Sequence, residues 1–351
     1  MRERDDLPFT MDEYKRRLRA LRQRMIAREL DVMLVTTPEN TCYLTGYESP
    51  GHFRFQAMLF PADDALEPVA IPRQLEDSGF EAHSWVDVRR PYQDVDDPMV
   101  IIAGVLREFG WEKSRIGYEK DCWFFTATQQ ERLQTLCDNA TWVDASGIVE
   151  QGRIVKSDAE IALMREASRA AERAMRAGVD AVRAGATENH VAADMYHALI
   201  NAGSHWVAIA PFVASGLRGA IGHATWSGRE MGKGDVVMLE VAGCRHRYHS
   251  ALMRSGYIGT PTDEIREAEK IVHEAFSAMM DVMKAGVPAH VPDAAARAVF
   301  QKAGAVQSSR SAYSIGIALS PDWSEGHIIS MQPDDDQVLQ TNMTFHLLPW
   351  I

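Results

Sequence analysis

Ala184-Gly185, then His190-Val191, a helical stretch and Ala202-Gly203, is answered further along the chain by Ala285-Gly286, His290-Val291, a second helical stretch and Ala303-Gly304. The spacing from Gly185 to Gly203 equals that from Gly286 to Gly304. A helix closing on a glycine turn and leading into another helix, used twice, predicts two related α/β halves around a central cleft. Chance matching of two Ala-rich helices would leave the same trace, so the weight falls on what surrounds the copies. Upstream, Ser157-Asp158-Ala159-Glu160 is a capping box that opens a long Ala/Arg/Glu-rich helix running toward Gly178. The approach Gln151-Gly152-Arg153-Ile154-Val155-Lys156 has the character of an interdomain connection, which puts one domain at 1–152 and a second at 153–351.

The first domain reads as alternating α/β. Thr10-Met11-Asp12-Glu13 is another capping box, and helical periodicity follows it to Glu29. Strands are expected at Asp31–Thr36, Phe55–Phe60, Pro68–Ile71, Arg115–Glu119 and Trp142–Ala145, and helices at Pro98–Phe109 and Thr126–Cys137. The chain has 351 residues, 46% hydrophobic and 25% charged, which is ordinary globular composition. Its formal charge of −12 should repel nucleic acid and anionic membranes. No apolar run approaches the ~18 residues of a membrane span, and Met1-Arg-Glu-Arg-Asp-Asp6 lacks the apolar centre of a signal peptide. The cysteines Cys42, Cys122, Cys137 and Cys244 form no CxxC pair, so reduced thiols in a cytoplasmic protein are expected. These bounds leave a soluble, intracellular, acidic globular protein, with an enzyme expected.

Chemistry-bearing residues gather in the second domain. A small-residue stretch, Pro211 to His223, leads to the turn Gly232-Lys233-Gly234-Asp235 and the apolar run Val236-Val-Met-Leu-Glu240-Val-Ala242. A carboxylate in a buried strand costs several kcal/mol unless it is paired or used. A Glu on the solvent face of an edge strand is the bland alternative. The following segment, Cys244 to Arg254, holds His246, His249 and three arginines, and a hairpin beside Glu240 would turn some of them inward. A third cluster runs from Tyr313 through Asp322-Trp323-Ser324-Glu325-Gly326-His327, a Gly- and Pro-bearing loop of the kind that carries binding groups.

Pro38-Glu-Asn-Thr-Cys-Tyr43-Leu-Thr-Gly46, the Arg153–Glu160 connection, Ser215-Gly216…His223…Gly234-Asp235 and Tyr248-His249…Arg254 together resemble the creatinase/prolidase/methionine aminopeptidase superfamily. The resemblance covers nearly the whole chain. It implies an N-terminal creatinase-like α/β domain followed by a pita-bread catalytic domain, whose two halves fit the repeat. The metallopeptidases of that superfamily hold two metal ions with two Asp, one His and two Glu, and this chain departs from them. Glu240, Ala251, Tyr313 and Leu348 stand where four of those ligands are expected, and the last Glu-bearing strand lies beyond Ile351, so a shortened copy is expected. Ala and Leu offer no donor atom, so no dinuclear site and no cofactor are expected.

Within the metal-free branch, Leu239-Glu240-Val-Ala-Gly-Cys with Arg247-Tyr248-His249, the Pro321–His327 loop and Asn342-Met-Thr-Phe-His346 look most like the ectoine hydrolases. That likeness implies opening of ectoine's cyclic amidinium to an N-acetylated diaminobutyrate. Glu240 would attack the carbon or activate water, and His223 or His327 would carry the proton. Asp322 or Glu325 would hold the amidinium N–H groups, Trp323 and Tyr313 would wall the ring, and Arg254, with His249 nearby, would meet the carboxylate. In a creatinase-like homodimer, Tyr47, Phe53 and Arg54 would belong to the lid that one N-terminal domain places over its partner's cleft. Creatine as substrate, a metal-dependent Xaa-Pro dipeptidase or lyase, and a catalytically dead binding module remain the alternatives.

Overall fold

Thr10 caps the first helix by accepting from the Glu13 backbone N–H, but only half of the expected box forms, because the Glu13 carboxylate is taken by Arg16 and Arg17. In the computed structural model, which describes residues 1–351, the chain divides into the units Met1–Arg153 and Ile154–Ile351. No helix is long and apolar enough to cross a membrane.

The first unit runs α1 (Met11–Ala27), β1 (Val32–Val35), α2 (Pro38–Thr45), β2 (Ala57–Pro61), β3 (Val69–Ile71), α3 (Asp77–His83) and β4 (Val88–Arg89). It continues with α4 (Pro98–Glu108), β5 (Arg115–Tyr118), α5 (Ala127–Leu136), β6 (Thr141–Asp144) and α6 (Glu150–Arg153). The strands make one mixed sheet in the order β4-β3-β2-β1-β5-β6. Every residue of β1 and β2 is buried, as unbroken apolar runs at the centre of a covered sheet require. Met99, Ile102 and Leu106 of α4 and Leu133 of α5 close the core over Leu34, Leu59 and Ile116. The expected strands and helices occur within a residue or two of their expected bounds. The two-residue β4 and the short helices α2, α3 and α6 are additions, too brief for periodicity to announce.

The second unit is built twice. Its first half comprises α7 (Asp158–Ala181), α8 (Glu188–Asn201), β7 (Phe212–Ser215), β8 (Val236–Arg245) and β9 (Tyr248–Tyr257). Its second half comprises α9 (Asp263–Val282), α10 (His290–Lys302), β10 (Ala312–Ser314), β11 (Ser330–Met331) and β12 (Phe345–Leu347). The repeated glycines mark equivalent corners. Gly185 has φ 83° and donates to Met231 O, while Gly286 has φ 89° and donates to Leu339 O. A buried acid near the head of each second helix does the same work. Glu188 accepts from the backbone and hydroxyl of Ser215, and Asp293 from the backbone and hydroxyl of Ser311. The sheets β7-β8-β9 and β11-β10-β12 meet where Tyr248 bridges Ile317, with His249 N donating to Gly316 O and Ala318 N to Arg247 O.

Helix α7 starts on the complete Ser157–Glu160 capping box and lays Ala167, Ala170, Ala171, Ala174 and Gly178 inward. Such small side chains let the helix sit close on β8. At Gly243 the approach is so close that a Cβ would stand 2.0 Å from the carbonyl oxygen of Ala167, an obstacle no rotamer change relieves. Replacing Gly243→Ala should therefore destabilise the chain by at least about 3 kcal/mol through backbone overpacking. Gly256→Ala, in the same hairpin with nothing within 4 Å of its added Cβ, should be near neutral. Thermal denaturation of the two variants side by side checks this, and equal melting temperatures would contradict it.

Candidate functional site

Strand β8 is buried along nearly its whole length, and Glu240 is the one carboxylate in it. Antiparallel register puts Phe212 of β7 and Met253 of β9 directly opposite Glu240, so the three side chains share a face. Glu240 is 7% exposed, and no protein donor reaches its carboxylate within hydrogen-bond distance. Its nearest polar neighbour is His346 of β12, whose Nδ1 lies 3.8 Å from Oε1, too far for a hydrogen bond. Burial, reinforced by the negative charge of Asp322, pushes the Glu240 carboxyl up to about 7.

Around this group stands a line of aromatic and imidazole side chains. Trp323 Nε1 donates to Tyr313 Oη at 2.9 Å, and Tyr313 Oη lies 2.8 Å from His346 Nδ1. Register explains the last contact, since Tyr313 and His346 face each other across β10 and β12. Burial, followed by the positive charge of Arg254, lowers His346 to about 4, so its ring is neutral at working pH. Burial raises the Tyr313 phenol far above the ordinary range, aided by the Glu240 charge, so it too stays neutral. Phe212 links the line to two further groups. Its ring centroid is 5.6 Å from Trp323 and 5.4 Å from His223. His223 is exposed and holds the left-handed φ of 64°.

Glu240, Tyr313, Trp323, Asp322 and His223 are thus brought to one neighbourhood, and other expected site residues are not. Glu325 is fully buried, with its carboxylate 2.6 Å from Lys156 Nζ, so it is an internal ion pair rather than a holder of amidinium N–H groups. His249 is fully buried too. Its Nε2 accepts from Ala208 N and its Nδ1 bonds Arg247 O, which spends both ring nitrogens on backbone. His327 is exposed in the turn after Glu325. Arg254 is exposed and donates to the Met253 carbonyl, and it touches the site through its charge on His346. In the first unit, Tyr47 is buried against Phe80 at 4.2 Å and donates to Glu76, so it is a packing residue of its own domain and not an exposed lid contact. Phe53 and Arg54 lie on that unit's surface. Two members of the neighbourhood, Phe212 and His346, were not anticipated. A lone His between Phe345 and Leu347 was the available signal for His346, whereas Phe212 enters only through strand register.

A dinuclear metal site does not fit these donors. Ala251 pairs with Ala242, on the same face of the hairpin as Glu240, and presents a methyl where a carboxylate would be needed. The Tyr313 hydroxyl is engaged by Trp323 and His346, and Leu348 has no donor in its side chain. Glu240 belongs to no group of three His, Cys, Asp or Glu ligand atoms lying within 4.8 Å of one another.

Residues 162–351 match the metallopeptidase family M24, and residues 17–155 match the creatinase/prolidase N-terminal domain. An uncharacterised hydrolase/peptidase of Sinorhizobium fredii is 33% identical over 97% of this chain and 90% of its own. The ectoine hydrolase of Halomonas elongata is 29% identical over 98% of this chain and 91% of its own. Among solved structures, dipeptidase PepE from Mycobacterium ulcerans superposes with a TM-score of 0.79 at 26% identity, covering 97% of this chain and 89% of its own. Peptidases and an ectoine hydrolase therefore stand at similar distances. A creatinase-like N-terminal domain precedes a pita-bread domain, and the chain belongs to the M24 family of hydrolases.

Proposed function

We propose that this M24 hydrolase works without metal and opens the ring of a cationic cyclic amidine, with ectoine as the substrate. The observation that carries this reading is Glu240, a buried carboxylate with no protein donor, walled by Phe212, Tyr313 and His346. Such a group is matched by a ligand that brings both positive charge and N–H donors, and an amidinium brings both at the carbon to be attacked. The likeness to the Halomonas elongata ectoine hydrolase supports the same substrate class. A dipeptide carries no such charge at its scissile carbonyl, and the donor set around Glu240 does not replace one with a metal pair.

In this mechanism Glu240 either adds to the amidinium carbon or takes a proton from the water that does. Water oxygen ends on that carbon, one ring C–N bond breaks, and the departing nitrogen leaves as an amine after receiving a proton. Trp323 and Phe212 offer π faces to the cation. Asp322, held by Ser324, adds negative charge, and His223 at the Phe212 edge is the imidazole beside the cluster that can exchange the proton with solvent.

Incubation with ectoine at neutral pH should yield the N-acetylated diaminobutyrate, unchanged by chelator. Creatine and an Xaa-Pro dipeptide should remain intact under the same conditions. Metal-restored dipeptide cleavage without ring opening would reject the proposal. Because Glu240 acts as an anion, kcat/KM should climb about tenfold per pH unit toward a limb near pH 7 and level off above it.

Glu240→Gln separates function from stability. Turnover should fall at least about a hundredfold, since the base or nucleophile is gone. Its effect on folding has the opposite sign. The folded carboxyl titrates about 7 against an ordinary value of 4.5, so the wild-type chain loses stability as pH rises from 4.5 and the loss levels off above 7. The uncharged amide has no such loss. Relative to wild type, the variant should gain about 1–3 kcal/mol between pH 4.5 and pH 8. Denaturant melts at several pH values check it, and a flat difference across that range would show that Glu240 is not a buried acid in solution.

A further inference from the structure

We propose that Tyr313 is a positioning residue, fixing the proton of His346 on Nε2 and so keeping Glu240 without an internal donor until a substrate supplies one. The catalytic consequence rests on the function proposed above, whereas the proton placement can be read without substrate.

The direction of the hydrogen-bond line follows from what each group can do. An indole Nε1–H can only donate, so Trp323 gives its proton to Tyr313 Oη at 2.9 Å. The phenol then has its own hydrogen to place. Its remaining partner is His346 Nδ1 at 2.8 Å. Were Nδ1 protonated, the hydroxyl oxygen would receive two donors and its buried hydrogen would have no acceptor. The arrangement that places both the Trp323 N–H and the Tyr313 O–H has Tyr313 donating to Nδ1, which leaves the ring proton on Nε2. His346 Nε2 is itself buried with no partner.

The consequence falls on Glu240. The nitrogen 3.8 Å from its Oε1 carries no N–H, its lone pair being taken by the Tyr313 hydroxyl. The remaining surroundings do not compensate. Phe212 and Met253 flank it from β7 and β9, and Asp322 on the 321–327 loop adds a like charge. Arg254 of β9 bears on His346 and opposes a charged imidazole there, while Arg310 stands over the Tyr313 ring at 4.5 Å. A neutral imidazole of the other tautomer would carry its N–H on the nitrogen nearest Glu240, and once released from Tyr313 it could close the 3.8 Å gap as a donor. Trp323 and Tyr313 prevent that tautomer, so the carboxylate's hydrogen-bonding capacity is kept for the amidinium N–H groups. Tyr313 on this account acts through His346, and its role is distinct from lining the ring.

The test uses full-length protein with ¹⁵N-labelled histidine, His346→Asn to assign the ring, and Tyr313→Phe. Without substrate at neutral pH, the wild-type ring should show the neutral Nε2–H tautomer. In Tyr313→Phe, Nδ1 is released, the Nδ1–H tautomer should appear, and Glu240 should gain a donor. Its ¹³C-carboxyl titration, and with it the acid limb of ring opening, should then move down by about one pH unit. A Tyr313 that merely packs would lower turnover and leave both midpoints where they were. An Nδ1–H or charged ring in the wild type overturns the proposal, and that measurement stands even where the variant does not fold. So does a carboxyl midpoint unchanged in Tyr313→Phe. If ectoine is not turned over at all, the tautomer and the carboxyl titration still decide this proposal, and the failure belongs to the substrate assignment alone.

Discussion

A carboxylate enclosed by hydrocarbon and aromatic rings, with no donor on either oxygen, is a standing cost of several kcal/mol, and the second unit is arranged to hold one. Glu240 sits mid-strand in β8, between β7 and β9, with a long helix on the sheet behind it. Together its neighbours exclude most of the water from the group without replacing it. The alanine face of α7 and the bare Gly243 permit an approach that larger side chains would forbid. Stability is given up at one residue and recovered over the packed sheet.

The duplicated architecture explains why the surroundings of Glu240 come from distant parts of the chain. One half supplies Glu240 and Phe212, the other supplies Tyr313, Trp323 and His346, and the backbone bridges near Tyr248 and Gly316 join the two. The loop bearing Asp322 and Trp323 has a fixed end as well. Glu325 is tied to Lys156 beneath Gly316, where any Cβ would lie 2.6 Å from the Glu325 carboxylate and 2.7 Å from the lysine stem. Breaking a buried pair of this kind leaves an unmatched charge, typically costing about 3–5 kcal/mol. Glu325 therefore serves the site by anchoring the loop on which Asp322 and Trp323 stand.

The fold was largely readable because its signals are local. Glycine corners at Gly185 and Gly286, the Ser157–Glu160 box and the unbroken apolar strands of the first unit each announce themselves within a few residues. The site was readable only in part, because one signal has two physical origins. A polar residue in an apolar or loop setting marks an unsatisfied group, as at Glu240, or a group satisfied by a distant partner, as at His249 and Glu325. Only the partner separates these cases, and Lys156 and the backbone of Ala208 are far away in sequence. In sequence, His346 marks only the Asn342–His346 resemblance and carries no role, although the reasoning that singles out Glu240 applies equally to it, a single polar side chain in Phe345-His346-Leu347. Phe212 carries no polar signal at all and is visible only through cross-strand register.

Under the function proposed above, the residues at the expected metal positions have an electrostatic logic. Two dications among several carboxylates make a nearly balanced site for a neutral peptide. By the family resemblance, Ala251, Tyr313 and Leu348 stand where donors would seat the cations, and Glu240 keeps a carboxylate at a fourth such position. That residue is then short of positive charge, and the aromatic line beside it supplies none, since Tyr313 and His346 are both held neutral. A neutral peptide entering such a cleft would leave the deficit in place and find nothing to polarise its carbonyl. A substrate that is already a cation at its electrophilic carbon relieves the deficit as it binds and needs no further activation. Under the function proposed above, the absence of metal seats and the recognition of an amidinium would be one property seen from the protein and from the ligand.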